Sequence, residues 1–288
     1  MITSYVEVFI DGIHITEGFK IKEYVHQDYI NNIECTKWDK DRIKIIAEIE
    51  SENKNKNYLI YLDLKEYLLR LFTLFGVNVR IDELKTTIDT DNDYLKMEHI
   101  ISPPIIPINP KDVLSYAEEV KYTLYNREKN GEFYNLIESS QDVDMIHRFR
   151  SLFATFDKVA PKQEINDSID YKKLKLKYLD IIKSLYKNLY FTRYQEIIKE
   201  LIKSNLIDQR HRNKMNYSQG LDQAFSAMGS GMIIDESVAF NLLKCIQLIR
   251  NKINHGSFEG LTPKAVSGSY ELLLPLTQQL MKEKLKII

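Results

Sequence analysis

A chain of 288 residues, 44% hydrophobic and 28% charged, is long enough for two domains that each bury a core. Its 40 Lys and Arg against 41 Asp and Glu leave a formal charge of -1 and a pI near 6.6, which excludes a chain-wide basic field, so any nucleic-acid contact has to be local. The two isolated cysteines, Cys35 and Cys245, exclude a disulfide framework or a cysteine-based zinc site, and no apolar run approaches the ~18 residues of a membrane span.

The chain opens without a signal-peptide pattern, because Thr3, Glu7, Asp11 and His14 interrupt its first stretch. A cytoplasmic protein with no membrane partner is therefore expected. Tyr5–Thr16 reads as two β-rich runs around Asp11-Gly12, which predicts a hairpin. Strand-like runs follow at Arg42–Glu50 and Tyr58–Leu62, then a helix over Leu64–Phe75 and a strand over Val77–Ile81. Residues 1–101 thus read as a small β-rich or α+β domain. Asp89-Thr90-Asp91-Asn92-Asp93 has the carboxylates of a calcium loop. It has Tyr94 where the loop needs glycine and Ile100 where it needs glutamate, so it reads as a solvated turn. No metal site and no cofactor is expected anywhere in the chain.

Residues 102–110 hold Pro103, Pro104, Pro107 and Pro110, which exclude helix and mark a linker. Ile105, Ile106 and Ile108 predict that this linker packs down. Asn109 caps the next helix with Pro110 at its first position. From 111 to 288 the pattern is helical. One helix buries Val113, Ala117, Val120 and Leu124 and ends near Asn130-Gly131. A second, from about Gln141 to Ala160, carries Phe149, Phe153 and Phe156, with His147, Arg148 and Arg150 off that stripe as surface charges. A long lysine-rich region from about Asp167 to Asn205 places Leu174, Tyr178 and Ile181 on one side. Gln209–Lys214 is the densest basic cluster, and its Arg210, Arg212 and Lys214 can hold phosphates beside Tyr217, although a polar inter-helix loop has the same composition. Gly229-Ser230-Gly231 lacks the strand and lysine of a phosphate loop.

Asp235–Gly256 organises this half. Asp235 serves as cap, and Val238, Leu242, Ile246, Ile249 and Ile253 recur at helical spacing as one buried stripe, with Gly256 as the stop. Just before the stop stand Arg250, Asn251, Lys252, Asn254 and His255. A guanidinium binds phosphate bidentately, and an imidazole moves a proton at neutral pH. On a regular helix Arg250 and His255 lie about 140° apart, so they converge only if the helix turns after about Asn254. Asn251, one turn before His255, could orient it or touch the same phosphate. The other reading makes Arg250 and Lys252 solvated charges and His255 a capping histidine at the helix's negative end. A last helix begins at Thr262-Pro263, with Val266, Tyr270, Leu273 and Leu280 inward and a kink at Pro275.

Arg250-Asn251, three residues, then His255-Gly256, late in a helical region, resembles the signature of the HEPN superfamily (higher eukaryotes and prokaryotes nucleotide-binding), and the following glycine resembles its ApeA-like and MauJ-like branches. The resemblance covers roughly the last 180 residues. The residues read as an α+β protein overall, with a β-rich N-terminal domain ahead of a helical half, and the resemblance implies that this half, 111–288, is an all-α HEPN-type bundle. It further implies a metal-independent endoribonuclease acting as a homodimer on RNA, in phage defence or toxin-like cleavage. Arg250 would sit on the scissile phosphate, His255 would transfer the proton and Asn251 would support them. Lys252, Asn254, Arg210, Arg212 and Lys214 would contact substrate, and a protein partner or ligand would be sensed by the N-terminal domain. The alternative is a non-catalytic HEPN-like dimer that binds or scaffolds; a buried His255 or a carboxylate-paired Arg250 would favour it.

Overall fold

The computed structural model describes residues 2–22, 24, 26–82, 107–125, 131–142, 144–164, 167–187, 236–258 and 261–286. The calls on Asp89–Asp93, Ile105, Ile106, Arg210, Arg212, Lys214 and Gly229–Gly231 lie outside these residues, as does the lysine-rich region beyond Lys187. The chain is α+β. Strands β1 (Ile2–Asp11), β2 (Phe19–Ile21), β3 (Ile30–Asp39), β4 (Arg42–Ser51) and β5 (Arg80–Asp82) form one antiparallel sheet in the order β2-β3-β4-β1-β5. Helix α1 (Lys54–Thr73) lies between β4 and β5 in sequence. It is followed by α2 (Pro110–Leu114), α3 (Ala117–Tyr125), α4 (Gly131–Gln141), α5 (Met145–Val159), α6 (Tyr171–Lys187), α7 (Glu236–Asn254) and α8 (Pro263–Lys286). No described helix is long and apolar enough to cross a membrane.

Two compact units divide the chain: residues 1–141 with 281–288, and residues 142–280. Helices α2–α4 thus cluster with the sheet, and the division falls after Gln141, not at the proline-rich stretch.

In the first unit β4 alternates as a strand with one covered face should: Ile43, Ile45, Ala47 and Ile49 are buried, and Ile46 points outward. Two expectations are corrected here. Asp11-Gly12 ends β1 without folding it back, and β1 pairs with β4 and β5. Gly12 is needed for close approach: it has φ +82°, and a Cβ there would stand 2.2 Å from the Val77 carbonyl oxygen. The tight hairpin is β3–β4, closed at Asp39↔Arg42. Tyr58–Leu62 is helix, not strand. Asn53 caps α1 by accepting from the Lys56 amide at 2.9 Å, and Ile60, Leu64, Tyr67, Leu68 and Leu71 then recur at helical spacing and are buried, while Tyr58 and Leu59 stay exposed.

The described end of the linker packs down as its composition predicts. Ile108 is buried, its amide donates to the His14 carbonyl at 2.8 Å, and its own carbonyl accepts from the Thr16 amide at 3.1 Å. Asn109 caps α2 with Pro110 at its first position.

The second unit is helical. Asp144 caps α5, whose Phe149, Phe153 and Phe156 are buried. Leu242, Ile246, Ile249 and Ile253 form the buried stripe of α7. The Tyr178 hydroxyl of α6 donates to the Leu272 carbonyl of α8 at 2.9 Å, which ties two of these helices by a buried bond. Arg148 is a correction: it is buried against the Tyr270 ring at 4.6 Å and is not a surface charge.

Candidate active site

Helix α7 ends where the chemistry requires a turn. Its last residue is Asn254, His255 is the cap, and Gly256 follows at φ +66°. The Ser257 amide donates to the Lys252 carbonyl at 2.9 Å and the Gly256 amide to the Ile253 carbonyl at 3.2 Å, the paired bonds of a Schellman ending. That motif satisfies carbonyls left free by the last turn and turns the chain away directly after His255. The His255 side chain is exposed and has no hydrogen-bond partner among the described residues.

Arg250 stands one turn earlier and is half-buried. Its Nη1 donates to the Asn251 Oδ1 at 3.1 Å, and its guanidinium carbon lies 5.3 Å from the centre of the Phe153 ring. Among the described residues it has no carboxylate at ion-pair distance. The Asn251 side chain thus holds the Arg250 guanidinium, while its backbone carbonyl accepts from the His255 backbone amide at 3.0 Å, the ordinary bond of the last helical turn. Lys252 is half-buried, and Asn254 is exposed beside the cap.

A second guanidinium reaches the same helix end. Arg150 Nη2, from α5, donates to the Ile253 carbonyl at 3.0 Å, where the negative end of the α7 dipole favours a cation. The sequence placed Arg150 off the α5 stripe as a surface charge. Its partner is 103 residues away along the chain, so no local pattern marks it.

Arg250 also lines a cavity of about 440 Å³, which His255 does not. One wall is a second stripe of α7, Phe240, Lys244, Gln247 and Arg250, at helical spacings of four, three and three. The opposite wall comes from the loop between α5 and α6. That loop folds back as a small hairpin, bridged at Lys162↔Ile169 and closed by the Gln163 amide donating to the Ser168 carbonyl at 2.8 Å. The loop ends at Asp170, whose carboxylate accepts from the Lys172 and Lys173 amides and so starts α6 with Tyr171 against the cavity. Lys244 Nζ sits 4.1 Å from the Tyr171 ring centre and is hydrogen-bonded to Gln247 at 3.3 Å. Burial pushes the Lys244 pKa down. Burial pushes the Tyr171 phenol up, with the neighbouring Arg250 charge opposing and Asp157 adding to the rise. Tyr171 and Lys244 were not singled out by the sequence; the spacing of Lys244 with Gln247 and Arg250 was the signal available.

Comparison of the chain with protein-family models, with curated proteins and with solved structures yields no match.

Proposed function

We propose that this protein is a metal-independent endoribonuclease of HEPN type, cutting RNA in a cleft formed by two copies of the α7 ending. One observation carries the reading: at the turn that ends α7, a guanidinium held by the Asn251 side chain, with no carboxylate partner among the described residues, stands five positions before an exposed imidazole that has no hydrogen-bond partner among them. A capping histidine alone would explain His255, and a solvated charge alone would explain Arg250. Neither explains why Asn251 spends its side-chain acceptor on Arg250.

In this reading Arg250, steadied by Asn251, binds the scissile phosphate and stabilises the charge that builds on its oxygens. Arg150, Lys252 and Asn254 add local positive or polar contacts in a chain that has no global basic field. His255 takes the proton from the ribose 2′-hydroxyl, and the 2′-oxygen attacks phosphorus. The bond to the 5′-oxygen breaks, and the partner's His255 protonates the leaving oxygen. The products are a 2′,3′-cyclic phosphate and a 5′-hydroxyl. RNA cleavage of this kind suits phage defence or a toxin, and a protein or ligand held by the N-terminal unit would then control it. The test is incubation of total RNA with wild type and with His255→Ala in EDTA. New cuts with wild type alone support the proposal, and intact RNA with both favours a non-catalytic binding module.

A further inference from the structure

We infer that the cavity between the α5–α6 loop, the start of α6 and the second stripe of α7 is a binding site for a small oxyanion, phosphate or carboxylate, carried on a flat apolar body. This goes beyond the ribonuclease reading and shares only Arg250 with it. Two independent features point to an anion. The Tyr171 residue is only 7% exposed, and its hydroxyl is buried with no hydrogen-bond partner among the described residues. A buried O–H left without an acceptor is destabilising, and a ligand oxygen would relieve it. The second feature is charge. Lys244 and Arg250 both line the cavity without a carboxylate partner among the described residues, and the one acid in its wall, Asp157, is engaged by Lys162 at 2.9 Å.

The body of the ligand follows from the rest of the wall. Phe153, Phe240 and the Tyr171 ring supply aromatic surface around the cations. A volume of about 440 Å³ far exceeds a bare phosphate and falls within the ~300–1,000 Å³ of small-molecule sites. The head group meets one O–H donor and two cations, and the flat portion stacks on the rings.

The experiment is calorimetric titration of the full chain with phenyl phosphate, benzoate, inorganic phosphate and neutral benzyl alcohol. Saturable binding of phenyl phosphate or benzoate is expected, at least about tenfold tighter than inorganic phosphate, with none for benzyl alcohol. The tighter of the two aromatic anions identifies the head group. Tyr171→Phe removes only the orphaned hydroxyl, so it keeps or raises the melting temperature while weakening the preferred anion about tenfold. Lys244→Met weakens it similarly. Failure of both aromatic anions to saturate in the millimolar range, or unchanged affinity in a folded Tyr171→Phe, overturns the inference.

Discussion

At the scale of single residues, the α7 ending separates chemistry from folding. His255 is exposed and contributes its backbone to the cap, so His255→Ala should cost about 1 kcal/mol or less in denaturant unfolding. The proposed mechanism requires the same variant to lose at least about a hundredfold in RNA cleavage. Arg250→Lys should fail as well, because an ammonium cannot reproduce the fork that both grips a phosphate and bonds Asn251. Gly256→Ala is the converse case. A Cβ there meets nothing within 4 Å, so its whole cost is the left-handed backbone, about 1 kcal/mol, measurable as a shift in unfolding midpoint. The turn after His255 was legible in the sequence because Gly256 marks a helix stop by a rule of local geometry. Arg150, Tyr171 and Lys244 were not, because they meet α7 through packing between α5, the loop after it and α6, which periodicity within one element does not encode.

At the scale of elements, α1 shows why the sheet was only partly legible. Tyr58–Leu62 has strand-like composition, yet Asn53 and the four-residue recurrence of Ile60 and Leu64 decide for helix. β4 was readable because one of its faces is covered, whereas β3 mixes Asn, Glu, Thr and Lys with its buried Ile33 and Cys35 and gives a weak pattern. Inside α1, Arg70 is 0% exposed, paired with Glu66, hydrogen-bonded to Thr123 Oγ1 at 3.2 Å and set 5.5 Å from the Phe133 ring centre. Glu66 is one-third exposed and Thr123 keeps its bond to the Val120 carbonyl, so Arg70→Ala loses charge-assisted bonds and packing and should cost about 2–3 kcal/mol by chemical denaturation.

Helix α8 carries a pH-dependent counterpart in Lys282. Burial holds its pKa down at about 8, below the ordinary 10.5, with Asp112 opposing the shift and Lys286 adding to it. Below about pH 8 both folded and unfolded chains hold the proton, and the penalty of the buried charge is fully present. Between about pH 8 and 10.5 the unfolded chain binds more protons, so this group makes stability rise with pH. Lys282→Met should lose that rise. Its unfolding free energy relative to wild type should be most favourable near pH 7 and should decline by about 2–3 kcal/mol toward pH 10.

At the scale of the whole molecule, one chain offers a single Arg250 and a single His255, yet the reaction needs a base, an acid and phosphate binding. A two-fold homodimer with both α7 endings near its axis provides the full set, and sedimentation at micromolar concentration should find a dimer. A monomer under those conditions would remove the second imidazole on which the mechanism depends. The most direct measurement uses a defined oligoribonucleotide cut in EDTA, with its new ends read by mass spectrometry. The account predicts 2′,3′-cyclic phosphate and 5′-hydroxyl ends that disappear with His255→Ala, and that disappear at a site whose ribose lacks the 2′-hydroxyl. Ends bearing a 3′-hydroxyl, or cuts that survive loss of His255, would contradict it.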